Sequence, residues 1–235
     1  VGFLELTLKS YSLNNSLNLE SFEAVIFDMD GVLIDSEPLW KIAMEEVFSS
    51  LGSTLTKADF QKTVGLRIDE VIHFWNVTEK WGVVDEWQVE QDIISKMEEL
   101  IIKNPFPLKG VIKTLEFLKA KDVKVGLATS SSKRLINAVL NSLNINHYFD
   151  FTWSAEYESH GKPHPAVYLS VAKALNVSPT KCLVIEDSYN GVISGLAARM
   201  KVVCIPEKTH FPNPKLALAD FQFDSMQEFL NEISN

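Results

Sequence analysis

Two hydrophobic rhythms divide this chain. Ala24-Val25-Ile26-Phe27 is an unbroken apolar run that stops at Asp28, with Asp30 and Gly31 just beyond. A short continuous run closed by a glycine turn predicts a buried strand of a parallel sheet. From Glu37 the rhythm changes to steps of three and four. Leu39, Ile42, Ala43, Val47 and Leu51 form one helical face, which Gly52 ends. A short helix is expected from Thr56 to Val64, broken by Gly65. Ile68, Val71, Ile72 and Trp75 give a further helical face, and a longer helix runs from about Val84 to Lys103. Asn104-Pro105-Phe106-Pro107 is a boundary.

Beyond that boundary helices and strands alternate. Helices are expected at Gly110 to Lys121, Ser132 to Leu143, Pro165 to Leu175, Tyr189 to Ala198 and Met226 to Ile233. Strands are expected at Val123 to Ala128, Phe149 to Trp153, Cys182 to Ile185, Lys201 to Ile205 and, weakly, Phe221 to Phe223. This alternation implies a parallel sheet covered on both faces. The expected fold is therefore α/β, a Rossmann-like core with helices on both faces and an all-α bundle inserted after the first strand. Residues 1–20 read as an N-terminal extension, 21–35 and 106–235 as the core domain, and 36–105 as the insertion. Its place directly after the two acids suits a lid.

Composition narrows the function. The 235 residues carry a net charge of -9, with 46% hydrophobic and 23% charged positions. An acidic chain of ordinary globular make-up argues against nucleic-acid and anionic-membrane partners. An anionic small molecule remains open, provided that local cations or a metal hold it. The two cysteines, Cys182 and Cys204, adjoin apolar runs and read as buried free thiols, which fits a reducing cytoplasm. No apolar stretch approaches membrane-spanning length, and the first residues lack the pattern of a signal peptide. A monomer is expected.

The candidate chemistry lies at strand ends, where open α/β sheets bind ligands. Asp28 and Asp30 follow the first strand. Thr129-Ser130-Ser131 follows the strand at 123–128 and reads either as an anion site or as an ordinary helix cap. Lys162, in Gly161-Lys162-Pro163-His164-Pro165, is either a fixed cation for a phosphate oxygen or a solvated surface lysine. His160 and His164 beside it carry no assigned role. Glu186 and Asp187 follow the strand at 182–185. If these strands are neighbours, Asp28, Asp30 and Asp187 converge, and three carboxylates would repel one another. A hard divalent cation removes that cost, and oxygen-only ligands with a phosphate favour Mg²⁺.

The set DMDG at 28–31, Thr129, Lys162 and EDS at 186–188, in this order, resembles the haloacid dehalogenase-like superfamily. DMDGVLIDSEPLW, GLRID at 65–69 and GKPHPAVYL further resemble bacterial phosphatases of 2-deoxyglucose 6-phosphate and related hexose and hexitol phosphates. β-Phosphoglucomutases share most of these features. The resemblance makes the insertion a helical cap. It implies Asp28 as a nucleophile that forms an aspartyl-phosphate and Asp30 as general acid and base. Mg²⁺ would be held by Asp28, the Asp30 carbonyl and Asp187, with Glu186 as an outer ligand. Thr129, Ser130, Ser131 and Lys162 would hold phosphate oxygens. Arg67 and Glu37 are the expected substrate contacts from the cap and its hinge. Trp75, Trp81 and Trp87 are offered for stacking on a sugar, with cap core as their more ordinary role.

The implied activity is hydrolysis of a small phosphorylated sugar, with mutase action on β-glucose 1-phosphate as the alternative. β-Phosphoglucomutases carry a histidine in the hinge where this chain has Trp40, which favours hydrolysis. Asp30 disfavours dehalogenation, since haloacid dehalogenases lack this second acid. Nothing marks Lys57 or Lys62 as the cap lysine that phosphonate hydrolysis needs. The intact acids and Lys162 speak against a catalytically silent binding protein.

Overall fold

A computed structural model describes residues 17–63, 65–206 and 213–235. Six strands form one parallel sheet: β1 Ala24–Phe27, β2 Lys124–Thr129, β3 Phe151–Ser154, β4 Cys182–Glu186, β5 Lys201–Cys204 and β6 Phe221–Gln222, in the order β3-β2-β1-β4-β5-β6. β1 is central, which explains its unbroken apolar run. Val25 and Phe27 face one hydrophobic layer, while Ala24 and Ile26 face the other. All four are fully buried, and each large side chain so buried contributes about 1.5–3 kcal/mol. The helices α1 Glu37–Ser50, α2 Ile68–Glu79 and α3 Glu86–Lys103 form the stretch expected to be all helix. α4 Val111–Ala120, α5 Lys133–Ser142, α6 Ala166–Ala174, α7 Tyr189–Ala197 and α8 Met226–Ile233 accompany the sheet.

The chain leaves the sheet and returns to it at one place. Ile34 bridges both Asp30 and Pro107, and the Leu108 N–H donates to the Leu33 carbonyl at 2.9 Å. Helices α1 to α3 thus hang from two adjacent crossings just beyond β1. Their apolar residues, among them Phe48, Ile72, Trp75, Ile93 and Met97, join the layer that contains Phe27, as does Phe60 from the turn between α1 and α2. Trp75 is buried there and Trp81 packs against Phe48, whereas Trp87 is exposed.

The boundaries differ from the sequence expectation in informative places. β3 starts at Phe151 rather than Phe149, because residues 146–148 form a 3-10 turn. The Asp150 carboxylate then takes the Val125 N–H at 2.8 Å. Asp220 takes the Val202 N–H at 2.9 Å in the same way before β6. The helix expected at 56–64 is only a 3-10 turn, Asp59–Thr63, with Val64 outside the described residues. Of the expected 1–20 extension, residues 1–16 also lie outside them. Leu17 is buried in the core, and Leu19 packs against it. Cys182 and Cys204 are buried free thiols, each pushed up to about 12, chiefly by burial. Among the described residues no helix is long and apolar enough to cross a membrane.

Candidate active site

The strand order puts β2, β1 and β4 side by side, so their C-terminal ends share one crevice. The order reverses around β1, which is where doubly wound sheets open. Asp28 leaves the end of β1, Thr129 ends β2, and Glu186 ends β4 with Asp187 next. Lys162 arrives on the loop after β3. It is buried, at 3% exposure, so it is not a surface lysine.

The Lys162 ammonium is held on three sides. It donates to the Glu186 carboxylate at 2.7 Å and to the Ala128 carbonyl at 3.1 Å, and it lies 2.9 Å from Asp28 Oδ1. Burial alone would lower its pKa, but Asp28 and Glu186 outweigh that and raise it. The ammonium is therefore a permanent charge. Glu186 receives five donors: Lys162 and Tyr168 Oη on one oxygen, and the Asp187 N–H, Ser188 N–H and Ser188 Oγ on the other. Burial pushes its pKa up, yet Lys162 and these hydrogen bonds hold it below its ordinary value. Burial and the Glu186 charge push the Tyr168 hydroxyl well up, so it stays a donor. A Cβ at Gly191 would lie 1.8 Å from a Glu186 oxygen, so only glycine at that point of α7 leaves the carboxylate room.

Asp28 is different. Burial raises its pKa to about 7, against the lowering by Lys162 and with help from Glu186 and Asp30. Its Oδ1 is buried against the Lys162 ammonium, 2.9 Å away. That ammonium is the charged partner of the oxygen. Asp28, Glu186 and Asp187 each offer an oxygen within 4.8 Å of the others. An oxygen-only trio fits a hard cation. Glu186 is already held by its five donors. Gly31 keeps the approach open: its φ is +71, and a Cβ there would sit 2.0 Å from Asp187 Oδ2.

Asp30 accepts four hydrogen bonds. Ser36 Oγ (2.5 Å) and Trp40 Nε1 (3.0 Å) donate to Oδ1, and Ser131 Oγ (2.6 Å) and Thr129 Oγ1 (3.4 Å) donate to Oδ2. The cap of α5 is Ser132. The three hydroxyl residues before it are therefore not spent on capping. Ser130 Oγ donates to the Gly65 carbonyl at 3.3 Å and so touches the insertion.

The crevice and the insertion border a hollow open to solvent, about 850 Å³ of space between atoms with that open solvent included. Asp28, Asp30, Thr129, Ser130, Ser131, Lys162 and Asp187 line it from the sheet, and Glu37 and Trp40 line it from α1. Arg67 is not among the lining residues. Its guanidinium donates to the carbonyls of Ala155 (3.2 Å) and Glu158 (3.0 Å), and it pairs with Asp69 and Glu70. The expected cap arginine is thus turned to the loop that leads to Lys162. Gly161 permits this, since a Cβ there would lie 2.9 Å from the Arg67 stem.

The sequence profile described as "Haloacid dehalogenase-like hydrolase" matches residues 25–205. The chain belongs to that family. Within the haloacid dehalogenase-like hydrolases it is similar to hexitol phosphatase B of Escherichia coli (strain K12). That relative is 37% identical over 206 residues, which cover 87% of this chain and 93% of the relative. The phosphorylated carbohydrates phosphatase of Thermotoga maritima is 36% identical over 181 residues, or 75% and 81% of the two chains. A crystal structure of β-phosphoglucomutase from Clostridium difficile shares the fold with a TM-score of 0.78 and 25% identity, covering 91% and 97%.

Sequence reasoning did not find three contacts of this hydrolase site. Ser36 was unremarked, although its spacing of four from Trp40 puts both on one face of a helix start. Trp40 was read as a hinge residue, not as a donor to Asp30. Tyr168 lies in the apolar stripe of α6 with Val167 and Val171, and a single hydroxyl in such a stripe is the one signal that was available.

Proposed function

We propose that this haloacid dehalogenase-like hydrolase is a Mg²⁺-dependent phosphatase of small hexose or hexitol phosphate monoesters that works through an aspartyl-phosphate. The observation that carries this reading is the convergence of Asp28, Lys162 and Asp187 at one crevice. The phosphatase names of the relatives supply the substrate class.

In this reading Asp28 attacks phosphorus and forms the acyl-phosphate. Splitting the reaction into two steps in this way lowers each barrier. Asp30 gives its proton to the departing sugar oxygen and later takes one from water. Lys162, Thr129, Ser130 and Ser131 hold the phosphoryl oxygens. Asp28, the Asp30 carbonyl and Asp187 would hold Mg²⁺, with Glu186 outside them orienting Lys162. The ion, when bound, neutralises charge on Asp28 and the phosphoryl group. Residues 36–105 act as the cap over the core of 21–35 and 106–235, and Glu37 contacts the sugar. Arg67 serves this cap as a strut to the core loop instead of as a phosphate ligand. The buried thiols suit a cytoplasmic protein, and a monomer suffices, because each element named lies in one chain.

Phosphate release from a panel of hexose and hexitol phosphates, with and without EDTA, tests this. Release that depends on Mg²⁺ is expected, and no release from any monoester would sink the reading. β-Glucose 1-phosphate, run in parallel, should yield free glucose; formation of glucose 6-phosphate would favour the mutase alternative. A second expectation concerns Gly31→Ala. The positive φ costs an alanine about 1–2 kcal/mol, and its Cβ displaces the Asp187 carboxylate. Turnover should fall about ten- to a hundredfold, the range seen when a group that orients a metal ligand is lost. Excess Mg²⁺ should restore part of it, as titration of activity against the ion would show.

A further inference from the structure

We infer that Tyr168 is a positioning residue for the phosphoryl site, holding Glu186 and Lys162 so that the lysine ammonium stays shared with Asp28. The inference rests on the phosphatase reading, in which Lys162 holds phosphoryl oxygens. It assigns a role to a side chain that is not among those lining the crevice. Tyr168 is fully buried, with Val167, Val171 and Ala172, in the apolar layer on one face of the sheet. A phenol in such a layer is costly unless its hydroxyl finds a partner. This one donates to Glu186 Oε1 at 2.5 Å.

Two features of the tyrosine reach Lys162. The first is the hydroxyl. Glu186 Oε1 accepts from both Tyr168 and the Lys162 ammonium, the latter at 2.7 Å, while Asp28 Oδ1 lies 2.9 Å from the same ammonium. Two carboxylates thus compete for one cation. A carboxylate oxygen that already holds a second charge-assisted donor draws less strongly on the first. Without the phenol, Glu186 pulls the ammonium away from Asp28 and from a phosphate bound beside it. The second feature is the ring. Its face lies against the ammonium, with Nζ 4.9 Å from the centroid, an attractive contact where water is excluded. With the Ala128 carbonyl at 3.1 Å, the ring leaves the ammonium little freedom to shift.

The chain between the two residues is short and anchored. Tyr168 lies in the first turn of α6, six positions after Lys162, and Val167 and Val171 beside it are buried. The Ser194 hydroxyl donates to the His164 carbonyl at 2.8 Å and so ties the intervening loop to α7. One helix start therefore sets both the reach of the lysine and the place of the phenol.

Calorimetric titration of the full chain with inorganic phosphate, in saturating Mg²⁺, reads the position of Lys162 without turnover. Tyr168→Phe keeps the ring and removes the hydroxyl. Glu186 retains its other donors, Lys162, Ser188 and the Asp187 N–H, so the variant should fold. It should weaken phosphate binding at least about fivefold and lower kcat/KM on the sugar phosphate at least about tenfold, the scale of a hydrogen bond to a charged group. Val171→Ala removes apolar volume from the same helix and leaves Lys162 its partners. It should lower Tm and keep native phosphate affinity. Native phosphate affinity in Tyr168→Phe overturns the inference, whatever its turnover. An equal loss of affinity in Val171→Ala also overturns it, by reducing the tyrosine to packing. A native protein that binds phosphate and hydrolyses no monoester sinks the phosphatase reading, and the phosphate affinities still judge Tyr168. One that binds no phosphate overturns both.

Discussion

Asp28→Asn should lower turnover by at least about 10⁴-fold, the scale on which loss of a covalent nucleophile is felt, and should leave no phosphoenzyme on rapid acid quench. The amide keeps the shape of the side chain but does not attack phosphorus. The variant also separates catalysis from folding. In the native site burial raises the Asp28 pKa to about 7, so its ionised form is held against desolvation. The neutral amide escapes that cost, although Lys162 then keeps only Glu186 as a carboxylate partner. The variant should therefore fold, and Mg²⁺ should raise its Tm less than it raises that of the native protein. An inactive variant that unfolds at ambient temperature would leave the nucleophile assignment without this support. Retained turnover would refute it outright.

The readability of this site followed from what each residue needs from its neighbours. β1 was plain in the sequence because a strand buried on both faces has no polar position, and Ala24 to Phe27 shows none. The acids after it were plain for the complementary reason, since carboxylates at the end of such a strand have no place in a core. β3 was harder. A 3-10 turn precedes it and the Asp150 side chain takes the Val125 N–H of the neighbouring β2, and nothing in the apolar pattern records a carboxylate taking a strand's hydrogen bond. The place of Arg67 was hidden for a similar reason. Its partners are backbone carbonyls of Ala155 and Glu158, some ninety positions away, and a carbonyl has no sequence signature. Tyr168 was hidden because its ring satisfies the helical stripe while its hydroxyl serves Glu186.

Asp30→Asn makes the most exacting test of the division of labour between the two acids. The substitution should fit the site, and the donors around Asp30 say why. Trp40 Nε1–H can only donate, so the amide oxygen must take the Oδ1 position, where it also accepts from Ser36. The amide NH₂ then faces Ser131 and Thr129, whose hydroxyls can rotate to accept. The fold should survive and Asp28 should keep its surroundings. Proton delivery to the sugar oxygen is lost, and so is proton removal from the attacking water. Turnover should fall at least about 10³-fold, within the span assigned to a general acid and base together. An activated ester with an acidic leaving alcohol needs no proton to depart. With such a substrate the first half-reaction should persist while the second stalls, so phosphoenzyme accumulates toward one per chain. A burst of alcohol release equal to the enzyme concentration, followed by a slow steady state, is the expected trace. Full steady-state turnover on the sugar phosphate would show that Asp30 is not the acid. A burst missing even with an activated ester would mean that Asp30 also supports attack by Asp28, through its contact with the Thr129 and Ser131 hydroxyls that flank the phosphoryl site.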